Sequence, residues 1–170
     1  SIGVRWYEAH RKGRRREVLD FIGEIAESSD ARPPLHYLHV LLPHEPFIYF
    51  PDGHRYTIET RLPGLISRER WRDDDWAAVQ AYQRYLLQLA YVDTLLGQLH
   101  DRLKATGLYD RSLIVVTSDH GASFHAARMF RKVTPETFAD ILPVPLFIKE
   151  PNQQAGRIDE RNVESIDIVP

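Results

Sequence analysis

The sequence predicts an α/β fold, with a mostly parallel sheet and covering helices in a single domain. The chain has the length of one globular domain, 170 residues, and its 43% hydrophobic and 27% charged residues are ordinary for a globular protein. Two short apolar segments, residues 37–42 and 113–118, flank a long helical pattern. A strand, a crossover helix and a second strand form a βαβ unit, whose strands run parallel.

The composition excludes several classes of protein function. The net charge of −2 argues against a dedicated nucleic-acid binder, and the absence of cysteine excludes thiol nucleophiles and thiolate metal ligands. Six of the first 16 residues are basic and one is acidic. This segment, with its local charge of +5, is interpreted either as a solvated turn before a helix or as a surface patch that binds an anionic membrane or a polyanion.

The N-terminal third predicts one helix, one strand and a long loop. Apolar residues recur at helical spacing between residues 16 and 28, and residues 1–34 are expected to form a peripheral helix and linker. The apolar run 37–42 suits a buried strand that Pro43 ends. Residues 43–73 are rich in proline, glycine and charge, which is typical of a loop that covers a site or packs on itself.

The next segment predicts a long helix with defined ends. Three aspartates, residues 73–75, favour its N-terminus. Gly107 suits the left-handed stop, and Leu108 is placed to pack back on Leu103 in a Schellman cap. An apolar stripe is expected to pack on the sheet: Tyr85, Leu89, Val92, Leu96, Leu99 and Leu103. A third strand is predicted at 144–148.

Reactive side chains follow two of the predicted strands. His44 comes just after residues 37–42, and Asp119 and His120 come directly after residues 113–118. Ligands of open α/β sheets bind outside the carboxyl ends of the strands. If these strands are parallel, the three side chains lie at one edge of the sheet.

The Asp119-His120-Gly121 turn offers a carboxylate and an imidazole, which suit a divalent metal, although such a pair also serves as a plain hydrogen-bonding turn. His44, between Pro43 and Pro46, is interpreted as a donor to an anionic oxygen or general acid, or as a simple hydrogen-bonding residue. His125 is interpreted as a residue that supports the site or contacts substrate, or as a solvent-facing loop histidine. His54 is expected to be structural.

Several segments together resemble the sulfatase family of the alkaline-phosphatase superfamily. Residues 91–97, Tyr-Val-Asp-Thr-Leu-Leu-Gly, followed by 114–121, Ile-Val-Val-Thr-Ser-Asp-His-Gly, resemble its helix and metal-binding strand. Residues 39–47 look like its His-x-Pro-Phe loop, and residues 144–149 and 163–170 look like its closing segments. The chain is also similar to membrane-anchored bacterial sulfatases and to lipoteichoic-acid-synthase-like phosphoglycerol transferases.

The resemblance implies a partial alkaline-phosphatase-like sandwich. It implies that Asp119 and His120 complete a divalent-metal site for Ca, Mn, Mg or Zn, and that His44, with His125, lies near the sulfate or phosphate of the substrate. The substrate would be a sulfated or phosphorylated small molecule, glycan or lipid-linked compound. It also implies a membrane-associated protein with an extracytoplasmic catalytic domain.

The chain departs from the family in one respect. It has neither Cys-x-Pro-x-Arg nor Ser-x-Pro-x-Arg, the motif of a sulfatase nucleophile, and no threonine lies in a matching context. Residues 1–170 are therefore expected to be the C-terminal part of a sulfatase-like catalytic domain, inactive alone. Two other interpretations stay open: a non-catalytic binding or regulatory domain on the same scaffold, and an unrelated α/β protein with a chance Asp-His-Gly turn.

Overall fold

A computed structural model of the chain describes residues 4–8, 14–27, 33–56, 64–66 and 70–168. Within these ranges the strands are β1 (Val4–Glu8), β2 (Leu35–His39), β3 (Leu65–Ile66), β4 (Arg70–Trp71), β5 (Ile114–Thr117) and β6 (Leu146–Lys149). The helices are α1 (Arg14–Glu24), α2 (Asp75–Ala105) and α3 (Phe138–Ile141), and a 3-10 turn covers Ser165–Ile168. The chain therefore combines helices with strands, as predicted.

The strands form three separate pairs. β1 lies parallel to β2, with α1 between them in sequence, whereas β3–β4 and β5–β6 are antiparallel. In the described residues β2 and β5 share no ladder, so the expected mostly parallel sheet is not seen there. The partner of β2 is an N-terminal strand that has no clear apolar pattern. The partner of β5 is β6, which returns in the opposite direction after residues 118–145.

The ends of α2 follow from local sequence. The Asp74 side chain accepts a hydrogen bond from the Ala77 amide at 3.1 Å, which caps the N-terminus. At the other end Gly107 has φ +69°, and the Leu108 amide donates to the Leu103 carbonyl at 2.9 Å. This is the Schellman geometry that the sequence predicted.

The predicted stripe of α2 is buried in part. Tyr85, Val92, Leu99 and Leu103 pack in the core, whereas Leu89 and Leu96 are 39% and 38% exposed. The buried side chains outside the predicted stripe are Ala77, Ala78, Ala81, Gln88, Tyr91 and Leu95. Three alanines and a glutamine carry little hydrophobic signal, which is why the apolar pattern missed part of the face. None of the helices in the described ranges is both long and apolar enough to cross a membrane.

Two clusters hold α2 to the rest of the chain. In the first, one face of α1 packs on Tyr91, Leu95 and Leu103 of α2. The α1 side chains are Val18, Phe21 and Ile22, and Ile25 joins them just after the helix. The second, here called the aromatic cluster, contains Phe47, Trp71, Tyr85, Phe124 and Phe130. Because Phe47 and Phe124 lie 5.9 Å apart at their ring centroids, the aromatic cluster brings the loop after β2 against the loop after β5.

Candidate functional site

The loop that carries His44 is fixed to α2 by one buried side chain. Gln88 is fully buried, and its Nε2 donates to the carbonyls of Pro43 at 3.0 Å and His44 at 2.8 Å. Its Oε1 accepts from the Ile48 amide at 2.9 Å. A buried amide needs such partners, and here they are all backbone groups of the loop. The helix thus sets the position of the His44 backbone.

The His44 ring is held from both sides. Nδ1 lies 2.8 Å from the Glu45 carbonyl, and Nε2 lies 2.6 Å from Nη1 of Arg131. A carbonyl only accepts and a guanidinium only donates, so Nδ1 carries the ring proton and Nε2 presents its lone pair to Arg131. This arrangement is the neutral imidazole. It leaves the other N–H donors of Arg131 beside the ring.

The turn after β5 orients a carboxylate and an imidazole. The His120 amide donates to Oδ1 of Asp119 at 2.9 Å, and Nδ1 of His120 donates to the Gly121 carbonyl at 2.8 Å. In the neutral ring this leaves the lone pair on Nε2, which lies 3.8 Å from Oδ2 of Asp119. The His120 side chain is 41% exposed and the Asp119 side chain is 78% exposed.

This donor pair fits a divalent cation. Metal–ligand bonds of about 2.0–2.2 Å place neighbouring ligand atoms roughly 3 Å apart, which is shorter than the present separation of 3.8 Å. The hydrogen bond from Nδ1 of His120 to a backbone carbonyl is also the arrangement that orients metal-bound imidazoles. Across residues 4–8, 14–27, 33–56, 64–66 and 70–168, no three histidine, aspartate or glutamate side chains gather into a metal-binding group. Within these ranges Asp119 and His120 are therefore a pair of donor groups with no third such group beside them.

Gly121 joins this turn to α3 by a close backbone approach. Its amide donates to the Ile141 carbonyl at 2.8 Å, and a Cβ atom at this position would lie 2.1 Å from the Asp140 carbonyl oxygen. Only glycine permits that contact. Nearby, Nε2 of His125 lies 3.5 Å from Oδ2 of Asp140, and the two side chains are 67% and 34% exposed, respectively.

The predicted residues therefore appear as three pairs. His44 lies against Arg131, Asp119 against His120, and His125 against the carboxylate of α3. Arg131 and His125, one member each of two of these pairs, both lie in the segment 121–131, which directly follows Asp119 and His120. The expected arrangement of His44 with the Asp-His pair at one edge of a parallel sheet is not present in the described strands, because β2 and β5 belong to different pairs.

Two residues of the site were missed by the sequence analysis. Gln88 is a polar residue within the helical pattern, three positions before Tyr91, and its burial left no signal in the apolar spacing. Arg131 had no local signal, since it is 87 residues from His44 in sequence.

The aromatic cluster also sets the electrostatics beside the loop. Burial raises the pKa of Tyr85, and the neighbouring Tyr82 raises it further. The Tyr85 phenol consequently stays protonated at neutral pH next to Phe47. It serves as packing for the His44 loop and is no candidate for a base.

Comparison with known proteins identifies the family of the chain. A family model described as sulfatase matches residues 5–170. A multifunctional alkaline phosphatase superfamily protein, PehA, of Trinickia caryophylli is 33% identical over 99 residues, which cover 57% of this chain and 19% of that protein. An endo-4-O-sulfatase of Bacteroides thetaiotaomicron is 22% identical over 97% of the chain and 32% of its own length. A lipoteichoic acid synthase of Staphylococcus aureus is 30% identical over 51% of the chain and 14% of its own length.

The fold and the site define an α/β protein with an Asp-His-Gly turn at the exit of a strand. The chain belongs to the sulfatase family. It spans between 14% and 32% of the length of these three relatives.

Proposed function

We propose that this chain forms part of the catalytic domain of a divalent-metal-dependent hydrolase or transferase of sulfuric or phosphoric esters. The nucleophile would come from a segment outside these residues. The observation that carries the proposal is the Asp119–His120 pair, whose Oδ2 and Nε2 atoms lie 3.8 Å apart at the exit of β5. Membership of the sulfatase family supports the same chemistry.

Asp119 and His120 would hold the metal, together with ligands from outside the chain. A bound divalent ion would supply charge stabilisation for the ester oxygens and for the nucleophile. The protein's own contribution is the orientation of the two ligands. The His120 amide holds the Asp119 carboxylate, and the Gly121 carbonyl fixes the tautomer of the imidazole.

Arg131 would bind the transferred group, with its guanidinium held by His44. A guanidinium has five N–H donors, and the one that faces His44 leaves others for two oxygens of a sulfate or phosphate. His44 then acts by orienting Arg131, while Gln88 holds its backbone in place. His125 is proposed as a neighbouring substrate contact, since it lies in the same segment as Arg131.

The substrate class and location extend the proposal. The esters would belong to a sulfated or phosphorylated small molecule, glycan or lipid-linked compound, in keeping with relatives named as a sulfatase and a lipoteichoic acid synthase. The longer protein would be membrane-associated, with this part outside the cytoplasm. Fractionation of that protein between membrane and soluble material tests the location.

Calorimetric titration of the chain with Mn²⁺, Ca²⁺ and Zn²⁺ tests whether the Asp119–His120 pair binds a divalent metal ion. We expect weak binding by the two ligands, lost in Asp119→Ala. The matched control is Asp101→Ala, because His100 and Asp101 on α2 form a similar exposed pair with Nδ1 and Oδ1 3.2 Å apart. Equal loss in both variants would show that any exposed Asp-His pair explains the binding.

The longer protein provides the activity test. Asp119→Ala there should remove stoichiometric metal and the cleavage of an aryl sulfate or phosphodiester. If metal and activity both survive, the proposal is wrong. If the wild-type protein binds metal without cleaving any ester, the alternative of a non-catalytic binding or regulatory domain is favoured.

A further inference from the structure

A groove separate from the Asp-His turn lies between α1 and the turn at residues 50–55. Its volume is about 570 Å³, within the range of small-ligand sites. The lining residues are Arg15, Arg16, Leu19 and Asp20 on α1, and Tyr49, Gly53, His54 and Arg55 on the other side. Its base is firm, since Tyr49 is buried and its ring lies 5.3 Å from that of Tyr91.

The groove carries more positive than negative charge. Its lining has three guanidinium groups and one carboxylate, that of Asp20. Asp20 pairs with Arg16 at 3.7 Å, and both side chains are mostly exposed, so the pair is weak. In the part of the chain that the structure describes, neither Arg15 nor Arg55 forms a salt bridge with a carboxylate.

The nearby carboxylate of Asp52 is held by His54. Asp52 accepts from the His54 amide at 2.9 Å, and its Oδ2 lies 2.9 Å from Nδ1 of His54. The His54 amide and ring together lower the pKa of Asp52. Arg15 itself lines the groove. Burial raises the pKa of Tyr91, which packs on Tyr49, and the charge of Arg15 opposes that shift.

The groove also continues from the candidate site. The Gln88 side chain accepts a hydrogen bond from the amide of Ile48, at the end of the His44 loop. One turn further along α2, the Tyr91 ring packs on that of Tyr49, which lines the groove. Three residues on a helix span about 4.5 Å along its axis. The two regions are thus consecutive on α2.

We propose that this groove is a second anion-binding subsite, which takes a further sulfate, phosphate or carboxylate group of the substrate. Guanidinium groups recognise such oxyanions with paired hydrogen bonds. The role as a substrate subsite rests on the proposed function, whereas anion binding by the groove can be measured without it. The substrate class this predicts is one with at least two anionic groups.

Titration of the chain with inorganic sulfate and inorganic phosphate, followed by amide chemical shifts, tests the subsite. We expect the Gly53 and Arg55 amides to shift. The double variant Arg15→Gln/Arg55→Gln should weaken binding about tenfold or more, as expected for loss of charged hydrogen bonds. The control Arg111→Gln/Arg157→Gln removes the same charge from exposed positions outside the groove and should change affinity less than about twofold.

Asp119→Ala separates the two proposals, because it removes a metal ligand and should leave the groove shifts unchanged. Equal weakening in both arginine double variants would overturn the subsite in favour of general charge attraction. Shifts confined to residues outside 15–20 and 49–55 would overturn it as well. Binding to phosphatidylglycerol vesicles without binding of either small anion would show a membrane surface instead.

Discussion

The strongest structural prediction concerns Gln88. Gln88→Met keeps the length and nearly the volume of the side chain but removes three hydrogen bonds to Pro43, His44 and Ile48. Each such bond contributes about 1 kcal/mol net, so the free energy of unfolding should fall by about 3 kcal/mol. The loss could be larger, because the backbone groups that remain are partly buried and left without partners.

Urea denaturation measures this loss. With an m-value of about 2 kcal/mol/M, the unfolding midpoint should fall by about 1.5 M. The matched control is Gln98→Met, the same substitution at an exposed position of α2. It should change stability by no more than about 0.5 kcal/mol.

A second readout tests the link to the site. The Gln88→Met variant should change the chemical shifts of the His44 ring under conditions where the protein is still folded, since the loop backbone loses its anchor. If both glutamine variants unfold at the same urea concentration, Gln88 does not hold the loop and the account of the site fails.

Two further substitutions test a close backbone contact and an exposed ion pair. Gly121→Ala places a Cβ atom 2.1 Å from the Asp140 carbonyl oxygen and should destabilise by about 1–3 kcal/mol, whereas Gly97→Ala meets nothing within 4 Å and should stabilise α2 by up to about 1 kcal/mol. Thermal unfolding compares them, and a Gly121→Ala protein as stable as wild type would contradict the close approach. The Arg161 side chain and amide lower the pKa of Asp159 to about 2, so the carboxyl stays ionised until pH falls to that value. In Arg161→Ala its pKa should rise towards 3.8, the ordinary value, in a carboxyl NMR titration, and an unchanged pKa would refute the pairing.

Features set by neighbouring residues could be predicted from the sequence. The ends of α2 depend on Asp74, Gly107 and Leu108, which act on the backbone within one turn. The same is true of the two hydrogen bonds that orient Asp119 and His120, which join adjacent residues. Such features need no knowledge of the rest of the fold.

Strand pairing and side-chain partners across the chain could not be predicted in this way. The sequence suggested a parallel pair from the order strand, helix, strand, but β5 pairs antiparallel with β6, with Thr117 opposite Leu146. Likewise, Arg131 contacts His44 because the neighbouring Phe130 packs in the aromatic cluster, which lies against the His44 loop. These outcomes depend on which buried surfaces fit together, and a local pattern does not contain that information.

The placement of Gln88 explains why one helix can position several parts of the site. Along α2, Tyr85 packs on Phe47 and Phe124, Gln88 holds the His44 loop, and Tyr91 supports the turn beside the arginine groove. These three positions are spaced by three residues, so they present neighbouring patches of a single rigid face. A shift of that face would move the loop after β2, the loop after β5 and the groove together. For this reason a change at Gln88 should disturb the His44–Arg131 pair more than the Asp119–His120 pair, whose contacts are confined to its own turn.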